Sequence, residues 1–181
     1  MTKTVYILLF RGVGGATQLP VKPLREKLTE AGFEKVATYI NSGNALLASG
    51  KGRDEVRAEV ARICKAEFGF DKDVHVVTRE EWAEMIAKNP FPEALDVPKF
   101  LHAAVLAGDS PKGAVEKLRE VATDGERIEV VGRVAYLHTP NGFGTSKLAV
   151  KFDKGIGVPN TARNWNTVMK LMEMAEGISA G

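Results

Sequence analysis

Residues 35–49 read Lys35-Val36-Ala37-Thr38-Tyr39-Ile40-Asn41-Ser42-Gly43-Asn44-Ala45-Leu46-Leu47-Ala48-Ser49, two β-prone runs around a polar turn. The turn, Asn41 to Asn44, is built of residues that accept positive φ, so strands over 35–40 and 45–49 are expected to form a hairpin. Working outward, a helix is predicted over 23–31 and stopped by Gly32. Ahead of it the run Val5-Tyr6-Ile7-Leu8-Leu9-Phe10 is apolar throughout, the pattern of a strand buried on both faces. Beyond the hairpin come a helix over 54–68 and a strand over 74–77. The order βαββαβ is that of a split βαβ, or ferredoxin-like, sandwich.

The pattern then begins again. Thr78 with Glu81 three residues later forms a capping box for a helix that carries Trp82, Met85 and Ile86 on one face. Pro90, Pro92 and Pro98 make 89–98 a stiff connector. A strand over 100–106 follows, and Ser110-Pro111 has the form of a helix N-cap and first position, with the helix running to Ala122. Strands over 127–131 and 134–138 meet at Gly132-Arg133, which suits a II′ turn. A short helix over 146–153 and a final helix opened by Thr161 complete the chain. The expected class is α+β, with two ferredoxin-like modules in tandem, the second ending in helices rather than an obvious fourth strand. The divisions are a module over 1–78, a helix and Pro-rich connector over 79–98, and a second module over 99–181.

With 181 residues, 44% hydrophobic and 27% charged, the chain has the composition of an ordinary globular protein. A net charge of +2 does not by itself point to a nucleic acid or a membrane. The positive charge is concentrated late: Lys147, Lys151, Lys154, Arg163 and Lys170 face only Asp153 between Val134 and Met172. Cys64 is the sole cysteine, which excludes an internal disulfide and a cysteine-based zinc site. It shares a helical face with Val56, Val60 and Ile63 and is expected to be a buried, inert thiol. His75, His102 and His138 fall in separate predicted strands with no ligand spacing, so no metal and no cofactor is expected. The run 5–10 is too short for a signal-peptide core, and no stretch has membrane-spanning length, so a cytoplasmic location is expected.

Four polar stretches stand where chemistry is easiest. Arg11-Gly12-Val13-Gly14-Gly15 leaves the first strand toward a helix, and its amides, Gly14 and Gly15 above all, can approach an anion closely. It matches neither the dinucleotide fingerprint nor the P-loop, so as a phosphate motif it is weak, and a flexible or tightly turning loop with a solvated Arg11 is the better reading. In a split βαβ sheet this loop lies at the same end as Asn41, Ser42 and Asn44, although plain hairpin chemistry also accounts for those three. Asn141-Gly142-Phe143-Gly144-Thr145-Ser146-Lys147 opens another helix, with Ser146 as cap and Lys147 a cation at the positive end of the dipole. Thr161-Ala162-Arg163-Asn164-Trp165-Asn166-Thr167 opens the last helix, capped by Thr161 or one turn later by Asn164. Arg163 in that first turn opposes the macrodipole. Trp165, Val168, Met169 and Met172 recur at helical spacing as a core stripe. No nucleophile, base and orienting group can be picked out together.

Phe10-Arg11-Gly12 with Val13-Gly14-Gly15, Thr38 to Asn44, Ser146-Lys147-Leu148 and Thr161 to Thr167, in this order, resemble the bacterial domain-of-unknown-function family 1697. That family usually carries Arg-Gly-Ile-Asn-Val-Gly-Gly in the first loop. This chain lacks the Ile-Asn pair, and it has Asn41 where Gln is common. The resemblance implies paired ferredoxin-like modules in a cytosolic protein and no activity. Three readings follow. The leading one is a binding module for a small anionic ligand, such as a nucleotide, or for a nucleic-acid phosphate. Arg11, Lys147 and Arg163 would supply charge, with Gly14, Gly15, Ser42, Asn44 and Asn164 supplying hydrogen bonds. The others are an enzyme using the same rim for phosphoryl or acyl transfer, and a scaffold whose motifs only dock the modules.

Overall fold

The computed structural model describes residues 2–13, 18–40 and 43–180. Among these it is a mixed α+β protein with six α-helices and two four-stranded antiparallel sheets. The chain divides into two compact units, Met1–Ala83 with Leu171–Gly181, and Glu84–Lys170. The division differs from the expected one at the C-terminal end, where the last helix passes from the second unit into the first.

The first unit holds β1 (Thr4–Phe10), α1 (Val21–Glu30), β2 (Glu34–Tyr39), β3 (Asn44–Ser49), α2 (Arg53–Phe68) and β4 (Val74–Thr78), in sheet order β2-β3-β1-β4. Alternation splits β1 between two faces. Tyr6, Leu8 and Phe10 pack with Leu24 and Leu28 of α1 and Val56, Val60 and Ile63 of α2, while Ile7 and Leu9 on the other face are fully buried as well. Burial on both faces is why the run carries no polar residue. Helix α2 ends at Gly69 (φ +63), whose N–H donates to Lys65 O at 3.1 Å, while Phe70 N–H reaches Cys64 O at 3.1 Å. This left-handed cap satisfies two carbonyls the helix would leave open and sets Phe70 into the core.

The Thr78 capping box forms as expected. Glu81 N–H donates to Thr78 Oγ1 at 3.1 Å, and Thr78 N–H to Glu81 Oε2 at 3.4 Å, at the start of α3 (Arg79–Ala87). The segment that follows is more than a spacer. It forms two 3-10 turns, Pro92–Asp96 and Pro98–Phe100, and buries Phe91 and Ala94. Arg127 holds it by pairing with Glu93 and by laying its guanidinium 4.4 Å from the Phe91 ring centroid.

The second unit contains β5 (Leu101–Leu106), α4 (Ala114–Val121), β6 (Arg127–Val131), β7 (Val134–His138), α5 (Lys147–Gly155), β8 (Asn160–Asn164) and the start of α6 (Trp165–Ala180). Its sheet order is β6-β7-β5-β8. Two sequence expectations are corrected here. A fourth strand exists, because residues 160–164 pair antiparallel with β5 from Leu106↔Asn160 to His102↔Asn164. Backbone hydrogen bonds hold this edge strand, so its mostly polar side chains gave no strand signal. Helix α4 starts at Ala114 and not at Pro111. Gly113 (φ +86) takes a left-handed turn first, and Ala114 N–H closes that turn on Pro111 O at 3.1 Å.

Two outcomes are expected. Burial pushes the Cys64 thiol up to about 12, so a disulfide-exchange reagent at neutral pH should label it only after denaturation; rapid native labelling would contradict the packing. A Cβ on Gly43 (φ +83) would stand 2.9 Å from Phe10 O. Gly43→Ala should therefore lower unfolding free energy by more than about 1 kcal/mol, measured by urea denaturation.

Candidate functional site

The sequence-predicted residues fall into both units. In the first, the topological expectation holds for the described residues. Phe10 N–H donates to Gly43 O at 2.8 Å, Leu9 sits opposite Asn44, and Arg11 N–H reaches Asp73 O at 3.0 Å. Arg11 and the Gly43-Asn44 turn therefore share one end of the sheet. Asn44 is buried, and its Nδ2 donates to Tyr39 O at 3.4 Å, which closes the hairpin. Next to this turn Ile40 is exposed and held at φ +49, a costly conformation for a β-branched side chain. Gly14, Gly15 and Ser42 lie outside the described residues.

The second unit brings more together. In β5, His102 stands between Leu137 of β7 and Asn164 of β8. Alternation puts it on the same face as Ala104 and Leu106, which pack against Leu148 and Phe152 of α5. The Phe143 ring lies flat on the imidazole, with centroids 3.8 Å apart and planes at 21°. Phe143 comes three residues before Ser146, whose Oγ accepts from Ala149 N–H at 3.0 Å and caps α5. Helix α5 thus begins at the His102 end of the sheet. At the opposite end, beyond its C-terminus, Ala107 N–H donates to Pro159 O at 2.8 Å.

Helix α6 begins at the same end. Asn164 is the ladder partner of His102, and its Oδ1 accepts from Thr167 N–H at 3.0 Å. Asn164 is the cap, in place of Thr161, because residues 160–164 are strand. Two helix N-termini therefore open at one end of one sheet, and neither carries an acid in its first turn. By contrast α2, α3 and α4 carry Asp54 and Glu55, Glu80 and Glu81, and Glu116 there. Lys147 is exposed at the first position of α5.

Arg163 does not join this group. It lies in a strand, one residue before Asn164, so its side chain belongs to the opposite sheet face, in the row of Ala103 and Tyr136. It donates to Thr161 Oγ1 at 2.6 Å and Ala162 O at 2.9 Å, and burial lowers its pKa to about 10. The expected clash with a helix dipole does not arise. Trp165 is core, as its spacing indicated, with its ring 6.5 Å from that of Tyr136.

His102 and Phe143 were missed as site residues. Their signal was slight: a lone histidine in the apolar run Leu101-His102-Ala103-Ala104-Val105-Leu106, and an aromatic between Gly142 and Gly144. His102 is 9% exposed, and its Nδ1 is buried without a hydrogen-bond partner. Burial alone pulls its pKa down to about 4. Among the described residues, no three His, Cys, Asp or Glu side chains cluster so as to hold a metal ion. No helix among them is long and apolar enough to cross a membrane.

The architecture recurs in a solved protein structure. It matches the conserved bacterial protein SP0830 from Streptococcus pneumoniae with a TM-score of 0.78, over 96% of this chain and 99% of that one, at 20% sequence identity. At that identity the likeness establishes the fold. The family model described as a protein of unknown function (DUF1697) matches residues 3–136, and the chain belongs to that family. No curated protein matches it.

The buried imidazole has a measurable consequence. The unfolded chain protonates His102 near 6.5, while the folded chain holds it neutral down to about 4. Its contribution is fully present above pH 6.5 and declines as pH falls toward 4, where the unfolded state binds more protons. His102→Leu should remove that part of the slope, so its urea midpoint should gain on the wild type between pH 6.5 and 4. Parallel curves would show that the imidazole is not desolvated.

Proposed function

We propose that this protein binds a small anionic ligand, with a phosphate group as the recognised part, at the end of the second sheet where α5 and α6 begin. The observation that carries the reading is the absence of a carboxylate from both first turns, with Lys147 standing at one of them. Free backbone N–H groups and the positive end of a helix dipole attract an anion, and a first-turn acid would compete with it. Asn164 orients the α6 terminus, and Ser146 orients that of α5. Arg11 heads the loop before α1, which also lacks a first-turn acid, and is the matching cation of the first unit. The net charge of +2 favours a small ligand over a nucleic-acid backbone. We read each unit as ferredoxin-like from its strand order and place the protein in the bacterial cytoplasm.

An enzymatic use of the same residues lacks a base. An imidazole with a pKa of about 4 is a weak proton acceptor at neutral pH. Titration with inorganic phosphate, followed by amide NMR, tests the binding reading. The Lys147 and Leu148 amides should shift saturably. Lys147→Glu should weaken binding several-fold, and the difference should shrink as salt is raised. Unmoved amides at both helix starts would sink the proposal.

A further inference from the structure

A nine-tenths buried histidine with an orphaned ring nitrogen is costly, because an unpaired polar atom loses its hydration and receives nothing in return. An apolar side chain at position 102 would fill the row of Ala104 and Leu106 without that cost. The neighbours of His102 do not explain it. Leu137 offers no polar side-chain atom, Asn164 turns its Oδ1 to Thr167 N–H, Phe143 presents a ring face, and none of the three hydrogen-bonds the Nδ1. Phe143 sits between two glycines, and Gly142 has φ +111, so its arm carries little side-chain packing of its own.

We infer that His102 is a ligand contact of the anion site, covered in the free protein by Phe143, and that its Nδ1 bonds a hydroxyl-bearing tetrahedral anion once that ring moves aside. This rests on the reading that α5 and α6 open an anion site, and it names the chemistry of the ligand. A neutral imidazole carries one donor and one acceptor nitrogen, whichever tautomer it adopts. Hydrogen phosphate, or a singly protonated phosphomonoester, carries both an O–H and bare oxygens, so either tautomer of His102 finds a complement. Sulfate only accepts at neutral pH. The ligand class is therefore phosphate or a small phosphomonoester, with its charge on the helix amides and Lys147 and one oxygen on His102. Phe143 keeps water from the orphan nitrogen when no ligand is bound, and the loop before α5 is the part that yields.

The test is long-range ¹H–¹⁵N NMR of the imidazole in the whole protein at neutral pH, titrated with inorganic phosphate and separately with sulfate. Phosphate should move the His102 Nδ1 resonance together with the Lys147 and Leu148 amides, with one dissociation constant. Phe143→Ala should tighten phosphate binding by removing the cover. His102→Phe should weaken it about tenfold, the loss expected for one hydrogen bond to a charged group. If the two amides respond and the His102 nitrogen stays still, the inference fails and the anion site stands. If none responds, both fail. Tighter sulfate than phosphate binding would overturn the ligand class. The wild-type titration decides the matter even where a variant folds poorly.

Discussion

The structure depends on the central strand of each sheet being paired along both edges and buried on both sides. β1 lies between β3 and β4, and β5 between β7 and β8. Tyr6, Leu8 and Phe10 face the helices while Ile7 and Leu9 are buried on the reverse. Leu101, Ala103 and Ala104 repeat this in β5. A strand so enclosed tolerates almost no polar atom, which makes His102 an exception worth explaining and makes the strand ends, where the ladder stops, the natural places for polar chemistry.

The two sheets share one topology with every element offset by four strands, β2-β3-β1-β4 and β6-β7-β5-β8. Their polar features do not share one position. In the first unit, Arg11 and the Gly43-Asn44 turn mark the end where β1 finishes. In the second, His102, Asn164 and Lys147 mark the end where β5 begins. The repeated backbone plan therefore carries two different surfaces, and the second combines two helix starts with the buried orphan nitrogen of His102.

Much of this was legible in the sequence, wherever one physical signal dominated. The continuous apolar run fixed β1, the positive-φ turn fixed the β2–β3 hairpin, and Thr78 with Glu81 fixed the start of α3. Thr161 to Asn164 reads as the opening of a helix because the strong periodicity of Trp165, Val168 and Met172 extends backward over residues with no pattern of their own, whereas the structure makes 160–164 a strand. An edge strand held by backbone bonds needs no such pattern. That error carried Arg163 into a helix it does not belong to, and with it part of the candidate site. Ser110-Pro111 has the chemistry of a helix start, and Gly113 overrode it by turning left-handed. His102 and Phe143 escaped because their partnership is tertiary: 41 positions separate them, and no local spacing encodes a stacked pair.

Helix α6 has a consequence for how the protein is made. Its first turns count with the second unit, while residues 171–181 count with the first. The first unit is thus discontinuous in sequence: it opens the chain, and it is completed only after everything in the second unit has been translated. On the ribosome, the second unit can assemble while the first still waits for its last segment. A lesion within residues 171–180 would accordingly strike a unit whose other residues are translated before the second unit.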